Sequence, residues 1–132
     1  MPFRLTFCSL IALAAAMPAA ADPVFNRIAS FATADNMAAG EDRARETSAE
    51  IMTATPDGMM LIYSDSPLKA IGLIDIADPR APKPLGNIAM PGESTTTVVL
   101  DKTAFVGVNT SDSFTQPSGV LASVDLGSKR IV

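Results

Sequence analysis

The sequence has no histidine, no tryptophan and a single cysteine, Cys8, among its 132 residues. Without histidine the chain cannot build a Ser-His-Asp triad, a Cys-His pair or a His-ligated metal site. Positive charge is scarce as well: 10 Lys and Arg stand against 14 Asp and Glu, a formal charge of −4. Nucleic-acid binders carry clustered Lys and Arg, and no such patch occurs, so nucleic acid is not an expected partner. The length allows one small domain and little more.

What is present first is an address. Arg4 precedes an apolar run over residues 10–17, then Pro18-Ala19-Ala20-Ala21, then the first acidic residue, Asp22. A basic start, a short apolar core and small residues before a cut describe a secretory signal peptide. Ala19 and Ala21 occupy the two small-residue positions, which places cleavage between Ala21 and Asp22. A membrane-spanning helix needs roughly 20 apolar residues; this run is shorter, mostly alanine and interrupted by Pro18. Cys8 comes too early to be a lipid-attachment cysteine. The expected mature chain keeps 111 residues, 9 basic and 14 acidic, and no thiol. It is expected in the periplasm or the external medium, off the membrane, and it lacks the disulfides that small exported domains usually use.

Three parts are expected: the signal peptide at 1–21, an amino-terminal extension and loop at 22–49, and a strand-rich region at 50–132. In the extension, Val24, Phe25, Ile28 and Phe31 suit a short strand or edge segment. Residues 34–46 carry charges without an apolar stripe and are broken by Gly40, which reads as a surface loop with one frayed helical turn. After Glu50, short β-prone runs alternate with turn residues. Pro56-Asp57-Gly58 between 51–55 and 59–63 is a hairpin signal, because Pro presets φ and Gly accepts φ > 0. Further strands are expected at 70–76, 85–90, 95–100, 103–109 and 120–126, with one more beginning at Arg130. Three prolines in 79–84 cannot donate to a ladder, which predicts that residues 77–84 lie outside the sheet.

The segments repeat. Ile71-Gly72-Leu73-Ile74-Asp75-Ile76 resembles Val120-Leu121-Ala122-Ser123-Val124-Asp125-Leu126, both ending in aliphatic-Asp-aliphatic, with Asp75 and Asp125 standing 50 residues apart. The hairpin turns at Asp57-Gly58 and Asp101-Lys102 stand 44 apart. A strand-rich unit recurring every 40–50 residues marks a β-propeller with one four-stranded blade per unit. An ordinary antiparallel sandwich is the alternative. The expected fold is therefore all-β, about two antiparallel blades of an incomplete β-propeller.

The stretch Leu73-Ile74-Asp75-Ile76-Ala77-Asp78-Pro79-Arg80-Ala81-Pro82 resembles the repeat of secreted bacterial propellers named for their Leu-Val-Ile-Val-Asp core. Residues 50–67, with Val108-Asn109-Thr110-Ser111, are similar to the amino-terminal propeller of exported proteins carrying a phytase-like esterase domain, some of them labelled alkaline phosphatases. Pro91-Gly92-Glu93-Ser94-Thr95-Thr96-Thr97 departs from the Gly-Glu-Pro-Thr-Ser-Val usual at that point of the repeat. The resemblance implies an amino-terminal fragment of a longer propeller, since a ring needs at least about four blades. Lys129-Arg130-Ile131-Val132 reads as a strand starting. Open blade edges invite self-association.

Chemistry is sparse. Asp65, Asp78, Asp101 and Asp112 are expected near strand ends, where carboxylates could meet calcium; no other cofactor is expected. Asp75 and Asp125 recur at one position of the repeat, which favours a structural hydrogen bond over an acid–base pair. Ser94-Thr95-Thr96-Thr97 and Asn109-Thr110-Ser111-Asp112-Ser113 offer hydroxyls but no base to activate them, and Asn109-Thr110-Ser111 matches a glycosylation sequon. Met52, Met59, Met60, Phe105 and Phe114 are expected to pack. The function expected is an exported structural or binding module for a protein or small-molecule ligand. The alternative is the leading part of a phytase-like or alkaline phosphatase-like phosphoesterase.

Overall fold

The computed structural model describes residues 25–132. Ala21, Asp22 and the rest of the expected signal peptide lie outside the described residues. Eight strands follow in order: β1 (Met52–Ala54), β2 (Met60–Asp65), β3 (Ala70–Asp75), β4 (Lys83–Ala89), β5 (Glu93–Leu100), β6 (Thr103–Asn109), β7 (Gly119–Asp125) and β8 (Arg130–Ile131). They make two four-stranded antiparallel sheets, β1-β2-β3-β4 and β5-β6-β7-β8. Within each sheet every strand pairs with its neighbour in sequence, as antiparallel hairpins allow, the longest connection being residues 110–118 between β6 and β7. The protein is all-β, and its sheets pack like adjacent blades of an open, incomplete propeller.

Turn chemistry explains the hairpins. Gly58 has a φ of +70°, and Asp57 Oδ1 accepts the Met59 N–H at 3.0 Å, which fixes the bend between β1 and β2. The matching bend between β5 and β6 is made by Asp101, at φ +54°, and Lys102. The core lies between the sheets. Ile62, Ile71 and Leu73 from the first meet Ala104, Val106, Val108, Ala122 and Val124 from the second. Full burial of such a large aliphatic side chain stabilises the fold by about 1.5–3 kcal/mol.

Ser94 fastens the two sheets. Its hydroxyl donates to the Ala70 carbonyl and accepts the Asp65 N–H at 3.1 Å, while its own carbonyl accepts the Ser66 hydroxyl at 2.8 Å. A bulge between Ser94 and Thr96 brings Ser94 and Thr97 onto the same buried side of β5.

Four expectations need correction. Lys83 and Pro84 belong to β4, with Pro84 opposite Ile74. Proline is tolerated on edge strands and at bulges; β4 is an edge of its sheet, and a bulge falls there between Leu73 and Ile74. Residues 25–32 form no strand; Phe25 is fully exposed, and the only regular element before β1 among the described residues is a 3-10 turn, Thr33–Asn36. The expected surface loop carries two buried residues, Asn36 and Met37. Phe114, Met52 and Met59 are exposed rather than packed, because Phe114 sits in a loop closed by its own hydroxyls and the two methionines flank the hairpin outside the inter-sheet core.

Candidate interaction surface

Alternation of side chains gives each sheet two faces. In the first sheet, Ile62 opposite Leu73 and Ser64 opposite Ile71 face the second sheet. The other face carries Leu61 opposite Ile74 and Tyr63 opposite Gly72. That face is covered by residues 28–49, where Ile28, Phe31 and Ala49 line an apolar groove of about 370 Å³ together with Leu61, Ile74 and Ile76.

Polar anchors hold this covering segment. The Asn36 amide donates to the Tyr63 hydroxyl at 3.0 Å and accepts the Gly86 N–H at 3.0 Å. The Thr47 hydroxyl donates to the fully buried Asp65 carboxylate. Arg43 pairs with Asp35 on the outside, where an exposed pair adds little. Tyr63 is fully buried because Gly72 leaves room for its ring: a Cβ on Gly72 would fall 2.0 Å from the ring. Burial raises the Tyr63 hydroxyl above its ordinary pKa, the Asn36 hydrogen bond opposes this, and the Asp65 charge reinforces it.

The second sheet differs. Ala104 opposite Val124 and Val106 opposite Ala122 face the first sheet. The opposite side presents Val98, Leu100 and Leu121 at 57%, 64% and 71% exposure, with Phe105 half-buried among them. Val98 lies opposite Phe105, and Leu121 opposite Gly107, so these side chains share one face. No described residue outside this sheet covers that face as residues 28–49 cover the first.

The sequence-predicted site residues are scattered. Asp75 accepts the Ala77 N–H at 2.9 Å, and Asp125 accepts the Ser128 N–H and hydroxyl, each at 2.6 Å. The Ser128 hydroxyl, then its N–H, hold the Asp125 carboxyl below the usual range. Asp78 caps the Arg80 N–H at 3.0 Å; Asp101 occupies a turn, and Asp112 lies in the loop after β6. Among the described residues, no three of Asp, Glu, His or Cys converge as metal ligands would. The hydroxyls of Thr110, Ser111 and Ser118 bond to one another and to backbone within their loop, and Asn109 donates to Glu93 at 3.2 Å. A second cleft, about 450 Å³, lies between the covering segment and the β3–β4 edge, lined by Asn36, Glu41, Arg45 and Asn87.

Asn36, Thr47 and the buried Asp65 anchor were not foreseen. A signal existed for Asp65: Asp65-Ser66-Pro67-Leu68-Lys69 and Asp125-Leu126-Gly127-Ser128-Lys129 share an Asp followed four residues later by Lys. In both, the carboxylate takes the N–H three residues on, and the Lys adopts positive φ, +52° and +57°. No helix among the described residues is long and apolar enough to cross a membrane. The fold and surface define an all-β, blade-like class of protein. Beyond that class, no protein family, curated protein or solved structure matches the chain.

Proposed function

We propose that the protein is an exported propeller-type module that acts by binding or by building structure, and that this chain performs no catalysis of its own. One observation carries the reading: the apolar face of the second sheet, with Val98, Leu100, Phe105 and Leu121, lies open to solvent. Covering such a face is favourable by about 1.5–3 kcal/mol for each large side chain fully buried, and contiguous exposed apolar surface marks interaction sites. The hydroxyls of the loop after β6 are engaged with other hydroxyls and backbone, while those of Thr55, Ser66 and Ser128 donate to the carboxylates of Asp57, Glu50 and Asp125. Export, to the periplasm or beyond, rests on the composition of residues 1–21.

The test pairs two measurements on the purified protein. Binding of an apolar-surface dye should drop severalfold in Val98→Asp/Leu121→Asp while the circular dichroism of the strands stays unchanged. Incubation with p-nitrophenyl phosphate or phytate should release no phosphate above blank. Turnover that survives purification would replace this reading with a phosphoesterase; dye binding indifferent to the substitutions would remove the surface.

A further inference from the structure

The two sheets are related in register, and the relation extends to what covers them. The pair Leu61–Ile74 in the first sheet occupies the place of Ala104–Val124 in the second, and Tyr63–Gly72 that of Val106–Ala122. On the other side, Ile62–Leu73 corresponds to Phe105–Ser123, and Ser64–Ile71 to Gly107–Leu121. The interface inside the molecule is thus head to tail: the Ile62 face of one sheet meets the Val106 face of the next. Residues 28–49 therefore lie on the first sheet where the first sheet lies on the second.

We propose that residues 28–49 are an end cap occupying the seat of a preceding blade, and that the open face of the second sheet accepts an uncapped blade, not an intact second copy. This rests on reading the open face as a docking surface. The open Phe105–Leu121 face is the register equivalent of the Ile62–Ile71 face, which already holds a sheet. Its partner is accordingly a four-stranded antiparallel sheet offering an apolar face, as Ala104, Val106 and Ala122 do in the second sheet and Leu61, Tyr63 and Ile74 do beneath the cap. An intact copy cannot offer its equivalent face, because the cap is on it. The cap is built for an end position. Residues 38–46 are exposed and carry Glu41, Asp42, Arg43, Arg45 and Glu46, and a stack of repeats stays soluble when its terminal element turns a polar side outward.

Sedimentation velocity over a range of concentrations tests the proposal in the full chain. Intact protein should stay monomeric over the range, since the cap withholds the one face that the open sheet accepts. Phe31→Ala/Asn36→Ala/Thr47→Ala, which unlatches the cap, should give a concentration-dependent series whose average mass at least triples. Adding Leu121→Asp should return that variant to monomer. If the triple variant loses its strand signal, Thr47→Val alone, which removes the Asp65 bond at nearly constant volume, should give the same series at higher concentration. Open-ended oligomers of the intact protein that Leu121→Asp abolishes would overturn the cap and leave the docking face standing. A folded, unlatched variant that stays monomeric would overturn the cap as well. Association indifferent to Leu121→Asp in every background would overturn both readings.

Discussion

The two sheets have the same strand order and matching cross-strand registers, yet one is covered on both faces and the other on one. The first sheet has core side chains on each face: Ile62, Ile71 and Leu73 toward its neighbour, Tyr63 and Ile74 toward the segment at 28–49. The second has Val106, Ala122 and Val124 inward and Val98, Leu100 and Leu121 outward. Strand pairing therefore sets the sheets, while their surroundings set what each face contributes. Matched positions should differ sharply in energetic weight.

The largest contrast is expected between Ile71 and Leu121, which share a register position. Ile71→Ala should cost about 2–5 kcal/mol, the range for a large-to-small change in a closed core. Leu121→Ala should cost no more than about 0.5 kcal/mol, as exposed positions generally do. Urea unfolding of the two variants checks this, and equal effects would break the contrast. Next comes Gly72, where the Tyr63 ring fills the space of a side chain. Gly72→Ala should destabilise by about 1–3 kcal/mol through overpacking. At the matching place, Ala122→Gly should cost about 0.5–1 kcal/mol from backbone freedom.

Asn36→Ala should cost about 2 kcal/mol, because it leaves the Tyr63 hydroxyl and the Gly86 N–H without their partner. Hydrogen exchange should then quicken in residues 28–49 and leave β6 and β7 unchanged.

The smallest effects are those of pH. Tyr63 has a raised pKa in the folded state, so its contribution is complete below about pH 10, the ordinary phenol value, and is lost as pH rises toward the folded value. Tyr63→Phe should flatten that alkaline decline. Asp125 and Asp57 have lowered values, so their contributions are present above about pH 4 and disappear as pH falls through the folded values. Asp125→Asn should flatten part of the acid limb of a stability–pH curve.

Strand positions from 51 onward were legible because turn residues carry their own mechanism: Pro56-Asp57-Gly58 and Asp101-Lys102 bend the chain for local reasons. The recurrence of aliphatic-Asp-aliphatic located the third strand of each sheet. Pro84 misled because its missing donor matters only where a ladder needs it, and edge status is a property of the assembled sheet. Asn36 was illegible for a related reason. Its charged, Gly-interrupted surroundings describe solvent exposure, whereas its burial depends on Tyr63 and Gly86, 27 and 50 residues away. The open face was equally hidden, since Val98 and Leu121 alternate with their neighbours just as core residues do.

The hydrogen bond between Asn36 and Gly86 also orders events in time. A chain emerging amino end first, as from an export channel, presents residue 36 before residue 86, so the first part of the domain to appear waits for one of its anchors until the fourth strand has followed it. Contacts that distant in sequence form slowly, because the intervening chain must first be brought back on itself. During that interval Tyr63 and Ile74 stay wet, and it is then that the emerging chain is most exposed to capture by chaperones or by its own siblings.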